Sequence, residues 1–392
     1  MSVAIAGGAL QGLEMTYLAR KAGFETLLLD RRSDAPATGI CHRFLAVDLT
    51  DHEALTRALG SVDLVLPATE NRRTLQSLVE WCDENRMPLA FDPGAYAISS
   101  SKSASDALFR RLGVSAPAPW PECTFPVLAK PDGESGGKGV EVFLDLQTLE
   151  ARFGIIPPSD RVLQEYLSGP AYSIEVIGIP GDYVPLQATT LEMDRDYGCK
   201  RVLAPSGLPP DLAGLFGRMA VSLAEAIGLS GIMDVEAIFH EGQLKVLEID
   251  ARFPSQTPIA VYHSTGVNMV ERLADVFVAP ETTEPGSSST PQPGASVLEH
   301  IRVRDGHLSV CGEQIMAEHG PLQLEADFFG ADEALTSHGP GKADWVATLM
   351  VKGSDLDEAW ERRGRAIHGI RNRFGLTGYS DESPEEGKGK VR

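Results

Sequence analysis

The chain is poor in cysteine and in positive charge, and it has no long apolar run. Its 392 residues include five cysteines, Cys41, Cys82, Cys123, Cys199 and Cys311. They are odd in number, far apart and form no CxxC pair, which excludes a disulfide framework and a zinc knuckle and fits reduced thiols in a cytoplasm. Against 55 acidic residues stand 35 lysines and arginines, a formal charge of −20. A nucleic-acid binder needs a basic footprint, so that class is excluded, whereas cationic small substrates are compatible. No segment approaches the ~18 consecutive apolar residues of a membrane span, and the N-terminus opens directly into a strand, so neither a span nor a signal peptide is expected. The histidines, His263 and His300 among them, show no metal-ligand spacing and read as structural. With 43% hydrophobic and 23% charged residues the composition is that of a globular protein, and the length suits two or three domains.

The pattern along the chain predicts a mixed α/β and α+β fold. Val3–Ala6, the turn Gly7-Gly-Ala-Leu-Gln-Gly12, a helix through Lys21 and the strand Thr26–Asp30 open a parallel, Rossmann-like α/β sheet. Strands at Phe44–Val47 and Leu64–Pro67 continue it, giving a first domain over residues 1–97. A dinucleotide fingerprint needs glycine at position 9, where this chain has Ala9, although Asp30 stands where a ribose-binding acid would. Such a turn also suits a small ligand held by Gly8, Gln11 or Glu14 at the carboxyl edge of the sheet. The polar run Ser99–Ser105 caps a helix through about Leu112, and the stretch 114–126 is proline-rich. A central domain over 98–168 and a C-terminal one over 169–376 follow. The Pro/Ser/Thr-rich stretch Pro280–Ala295 reads as a mobile loop and residues 377–392 as a disordered tail.

The densest chemistry lies in Met233–Arg252. Met233–Phe239 and Leu244–Asp250 read as strands around the turn His240-Glu-Gly-Gln243. A turn centred on Gly242 places Glu236 opposite Glu248 and Asp234 opposite Asp250, all on one face. Like charges placed so destabilise a sheet unless a cation sits among them, and Mg²⁺ with phosphate oxygens fits hard carboxylate ligands. Arg252 adds a fork suited to phosphate at the rim.

Upstream, Val127-Leu-Ala-Lys-Pro131 runs into a glycine-rich loop containing Ser135, Gly136, Gly137 and Lys138. Backbone N–H groups of such a loop cradle an anion, and Lys130, Lys138 and Lys102 add charge. A plain hairpin turn is the alternative for this loop taken alone. The strand containing Gln164, Glu165, Tyr166 and Leu167 can offer backbone hydrogen bonds and a side-chain sandwich to an adenine.

In this order the motifs resemble the ATP-grasp superfamily, over about residues 1–300. The resemblance implies the ATP-grasp fold, ATP and Mg²⁺, and joining of a carboxylic acid to an amine through an acyl phosphate. It also implies that Lys102 and Lys130 contact the phosphates, that Glu165–Leu167 form the adenine hinge, and that Glu236, Glu248 and Asp250 hold the metal. Ala171 falls where relatives carry a ribose-binding glutamate, and Glu175 or another group is expected to replace it. A narrower resemblance is carried by Gly7–Gly12, Pro67–Asn71, Ser173–Gly178, Gly231–Ala237 and Glu248–Pro258. It points to the pyrrolysine-biosynthesis branch, whose members join (3R)-3-methyl-D-ornithine to the ε-amine of L-lysine. That branch implies cytoplasmic amino-acid biosynthesis with small diamino acids as partners. Catalytic roles then fall to Arg252 and Lys130, and substrate-binding roles to Gln11, Glu70, Asp234, Ser255 and Thr257. Dimers are common in the superfamily, and a homodimer is compatible. Another substrate pair, or a nucleotide-binding protein without ligase activity, stays open.

Overall fold

The computed structural model describes residues 1–133, 139–155, 158–278 and 294–384. Ser135, Gly136, Gly137 and Lys138 lie outside the described residues, as do residues 280–293 of the expected loop. Three sheets organise the chain. The first is parallel, ordered β3-β2-β1-β4, from β1 (Ser2–Ala6), β2 (Glu25–Asp30), β3 (Arg43–Ala46) and β4 (Leu64–Pro67). β1 and β4 carry continuous apolar runs buried on both faces, as helix-covered parallel strands require. The glycine turn serves this packing. Gly7 sits at φ +123°, and a Cβ at Gly12 would lie 1.9 Å from the Gly7 carbonyl oxygen. Only glycine lets the helix Leu10–Lys21 come this close to β1.

The second sheet, β6-β5-β7, joins β5 (Val127–Pro131), β6 (Glu141–Phe143) and β7 (Arg161–Glu165). The third has twelve strands: β8 (Ala171–Ile179), β9 (Asp182–Pro185), β10 (Thr189–Met193), β11 (Cys199–Ala204), β12 (Gly231–His240), β13 (Gln243–Asp250), β14 (Ala295–Arg304), β15 (His307–Val310), β16 (Gln323–Phe328), β17 (Ala331–Thr336), β18 (Trp345–Gly353) and β19 (Gly378–Asp381). Its main path runs β13-β12-β8-β10-β11-β14-β18-β17-β16. Among the described residues no helix is long and apolar enough to cross a membrane.

Two expectations are corrected here. Lys102–Leu112 was assigned with the central sheet, yet its Leu108 and Phe109 pack into the core formed by Val176, Met233, Val246 and their neighbours on the large sheet. The amphipathic stripe of that helix matches this larger apolar face. The tail expected from residue 377 instead begins with β19, which pairs in parallel with β15. Its charge is the reason it orders: Asp381 is 2.6 Å from both Lys200 and Arg201, which sits against the fully buried Glu299 along with Arg363. Polarity alone predicts disorder; complementary buried partners reverse it.

Candidate functional site

The acidic hairpin forms with Asp234 opposite Asp250 and Glu236 opposite Glu248. The route to this register differs from the expected one. Glu241 and Gly242, both at positive φ (48° and 83°), make a two-residue turn between the paired His240 and Gln243. Left alone, that turn would put Glu236 opposite Leu247 and send Glu248 to the other face. A one-residue bulge after Glu236 skips Leu247 and restores the acid pairs. The carbonyl of the skipped Leu247 accepts from Lys130 Nζ at 3.4 Å. β8 then extends both rows, with Glu175 opposite Asp234 and Ser173 opposite Glu236.

A cavity of about 500 Å³ lies between the second and third sheets, large enough for a nucleotide. Gln164, Glu165, Tyr166 and Leu167 line it, as do Lys102, Lys130, Glu236 and Glu248. Lys102 Nζ is 3.6 Å from Glu248. Asp132 sews the two lysine-bearing segments together: its carboxylate accepts from Ser103 N at 2.7 Å and from Ser101 Oγ at 3.1 Å, and its carbonyl from Lys102 N at 3.3 Å. The Glu165 carboxylate is engaged by Lys245 Nζ at 2.7 Å and Ala118 N at 3.1 Å, and its backbone N–H donates to the Ala118 carbonyl at 2.8 Å. Glu175 is not a ribose acid. It is fully buried in the acid row, four residues or about 13 Å along β8 from the cavity-lining Ala171.

One pair further along the hairpin, Arg252 stands 2.8 Å from Asp250 and 2.7 Å from Glu70. Further polar side chains gather on the loop that follows β13. Glu14, on the first helix, accepts from the backbone N–H of Gln256, while Gln11 donates to the Phe253 carbonyl. Gln11 thus fixes the loop after β13. Thr257, at the start of the helix Thr257–Thr265, faces Glu175. Ser255 and Gln256 turn their side chains to Glu313, and among the described residues the buried Gln256 Oε1 has no hydrogen-bond partner. Glu313 and Gln256 escaped sequence reading. Glu313 lies in a Cys-Gly-Glu loop far beyond Arg252 and belongs to no motif; only the fold brings it in. The dinucleotide reading loses its acid, because Asp30 accepts from Gly8 N at 2.6 Å and Arg32 N at 2.8 Å.

Crowding controls the charges. Burial pushes Glu236 up to about 8, with Glu248 and Asp250 adding to the rise and Lys130 opposing it. Burial raises Asp250 to about 6 against the pull of Arg252, and Glu175 to about 7. Asp234 is held well above the carboxylate range by burial, Asp250 and Glu236, and Glu14 by burial and Glu313. Burial also lowers Lys130, with Glu248 and Asp106 opposing. A carboxyl whose folded pKa is raised binds more protons folded than unfolded at neutral pH, so stability falls as pH rises towards the folded value. The buried His263 and His300, lowered to about 3, act oppositely, but only near and below their ordinary value of about 6.5. The ligand-free protein should therefore melt a few degrees lower at pH 8.5 than at pH 7.0 in thermal scans. Equal or higher melting at pH 8.5 would contradict the raised carboxyls.

For a divalent cation the donor set is hard oxygen, and Asp250 Oδ1 is buried with no hydrogen-bond partner among the described residues. Among the described residues no three such side chains already converge as a metal cage. Mg²⁺ needs none, since it takes one or two carboxylates and completes its shell with phosphate oxygens and water. Glu236 and Glu248, paired across the hairpin and lining the cavity, are carboxylates of that kind.

Comparison with known proteins agrees with this geometry. Residues 99–256 match the ATP-grasp domain family. The chain is 34% identical to the 3-methyl-D-ornithine–L-lysine ligase of Methanosarcina acetivorans over 379 residues, 95% of this chain and 99% of that one. It is 32% identical to the Methanosarcina barkeri ligase of the same name over 383 residues, with the same coverage. Among solved structures, the biotin carboxylase domain of Hydrogenobacter thermophilus 2-oxoglutarate carboxylase, determined with MgADP and bicarbonate, superposes with a TM-score of 0.72 at 17% identity, covering 94% of this chain and 89% of that one. N5-carboxyaminoimidazole ribonucleotide synthetase from Thermotoga maritima gives 0.64 at 19% identity, covering 94% and 98%. These two share the fold.

Proposed function

The chain belongs to the ATP-grasp family of 3-methyl-D-ornithine–L-lysine ligases, ATP-dependent carbon–nitrogen ligases, and from that membership we propose that it couples the carboxylate of (3R)-3-methyl-D-ornithine to the ε-amine of L-lysine. The observation that carries the substrate class is an acidic cluster at Arg252: Glu70 and Asp250 pair with the guanidinium, Asp234 and Glu313 feel its charge, Glu175 lies opposite Asp234, and Glu14 adjoins Glu313. Buried carboxyls in such excess are costly unless a cation joins them. Two diamino acids bring several ammonium groups.

In this reading ATP lies along the cavity, its adenine against Gln164, Glu165, Tyr166 and Leu167 and its phosphates against Lys102 and Lys130. Mg²⁺ held by Glu236, Glu248 and Asp250 would neutralise phosphate charge. An oxygen of the ornithine carboxylate attacks the γ-phosphorus, the bond to the β-phosphate oxygen breaks, and ADP leaves. The lysines supply fixed positive charge to this transfer. The lysine amine then attacks the acyl carbon and phosphate departs with the former carboxylate oxygen, Arg252 steadying the oxygens. The ε-ammonium must first shed its proton. Asp234 suits this task better than Glu70, whose carboxylate is held by Arg252. Asp234 instead lies in the buried acid row opposite Asp250 and Glu175. In this reading Ser255, beside Glu313, and Thr257, beside Glu175, would be the hydroxyls of this loop that hold substrate. A homodimer belongs to the same expectation.

The test is phosphate release from Mg-ATP with L-lysine, D-ornithine, 3-methyl-D-ornithine and D-alanine, singly and paired. Release only when both diamino acids are present supports the reading. Release with D-alanine alone would keep the ligase and discard these substrates.

A further inference from the structure

The nucleotide cavity has a third wall that the reading above leaves unused. One wall is the segment Gln164 to Leu167, and the floor is the lysines with Glu236 and Glu248. The third starts at Ala171, which pairs with Leu191 across β8 and β10; the next residue, Glu192, pairs with Arg201 on β11. Beside Arg201 stands Lys200, only 1% exposed. Its ammonium donates to the Glu382 carbonyl at 2.7 Å and to Ser383 Oγ at 3.1 Å. Ser383 and Pro384 line the cavity. This placement is built rather than incidental, since β19 is fixed by its ladder to β15 and by Asp381 against Lys200 and Arg201.

We propose that residues 382–384 form part of the nucleotide site, with the Ser383 hydroxyl, positioned by Lys200, contacting the ribose in place of the acid missing at Ala171. The chemistry suits a sugar. The Ser383 oxygen accepts from an ammonium that can only donate, so its own O–H is free to donate to a ribose hydroxyl oxygen. Base and phosphates occupy the other two sides, which leaves the sugar for this one. The C-terminal strand is then part of the ATP site, although it follows the acidic hairpin by more than a hundred residues. This rests on the nucleotide reading above.

The test is calorimetric titration of the full-length protein with Mg-ADP and with Mg-2′,3′-dideoxy-ADP. Ser383 is exposed, so Ser383→Trp should fold and melt as the wild type while its bulk fills the cavity and weakens Mg-ADP binding by at least about tenfold. Ser383→Ala should weaken Mg-ADP about three- to tenfold, the worth of one hydrogen bond, and leave the dideoxy analogue unchanged. Binding of Mg-ADP by Ser383→Trp within twofold of wild type would overturn the proposal. So would an undiminished preference for ADP over the dideoxy analogue in Ser383→Ala. A wild type that binds no Mg-ADP would instead overturn the nucleotide reading itself.

Discussion

Glu248→Gln is expected to lower ligation by about a hundredfold or more while the protein folds normally. Glu248 joins the acidic hairpin to the lysine side of the cavity: it faces Glu236 across the hairpin, lies 3.6 Å from Lys102 and lines the cavity. Glutamine preserves shape and one acceptor oxygen but removes the charge that pairs with lysine and would ligate Mg²⁺. Loss of one electrostatic partner aimed at transition-state charge typically costs 10²–10³ in rate. Folding should survive, because the side chain is about a third exposed and its removal relieves repulsion on Glu236. Steady-state rates across a Mg²⁺ titration check this. Turnover near wild type would remove Glu248 from the metal set.

Arg252→Met should damage both stability and activity. The guanidinium sits between Glu70 and Asp250 and opposes the charge on Asp234. Burial works against its charge, yet Asp250, Glu70 and Asp234 hold its pKa above the ordinary value. Removing one member of a buried pair leaves its partners uncompensated and costs about 3–5 kcal/mol. Part of that is recovered at low pH, where the freed carboxyls take up protons. Denaturant melts at pH 5.5 and 8 should show the variant's deficit growing with pH. In single-turnover assays amide formation should fall by at least about a hundredfold, and Arg252→Lys should recover stability more than rate, because ammonium replaces charge without the planar fork. A stable variant turning over within tenfold of wild type would make Arg252 a surface ion pair and nothing more.

The hairpin shows how far the sequence could be read. Alternating acids with a glycine turn were enough to pair Asp234 with Asp250 and Glu236 with Glu248. The turn itself is a residue pair rather than a single centre, and the bulge at Leu247 compensates. Two local features shifted by half a step each and cancelled, and no periodicity reveals that. The strand that carries Lys130, the strand Arg161–Glu165 and the parallel sheet were legible because each is a continuous segment with its own pattern. Glu313 and Ser383 were not, since their significance comes from long-range packing. The tail misled for the same reason: Asp381 looks like a solvated charge until Lys200 and Arg201 are brought to it. Glu175 was read by its nearness to Ala171 in sequence, whereas strand geometry carries it about 13 Å away from that cavity-lining residue.

The central claim is that the ornithine carboxylate is activated by phosphoryl transfer before it meets the amine. The most direct measurement follows ¹⁸O from a doubly labelled 3-methyl-D-ornithine carboxylate, with mass spectrometry of the phosphate, the nucleotide and the amide after complete turnover with L-lysine. The account predicts one labelled oxygen in inorganic phosphate, the other in the amide carbonyl, and none in the nucleotide, which is ADP. Label in AMP, or phosphate without label, would contradict it.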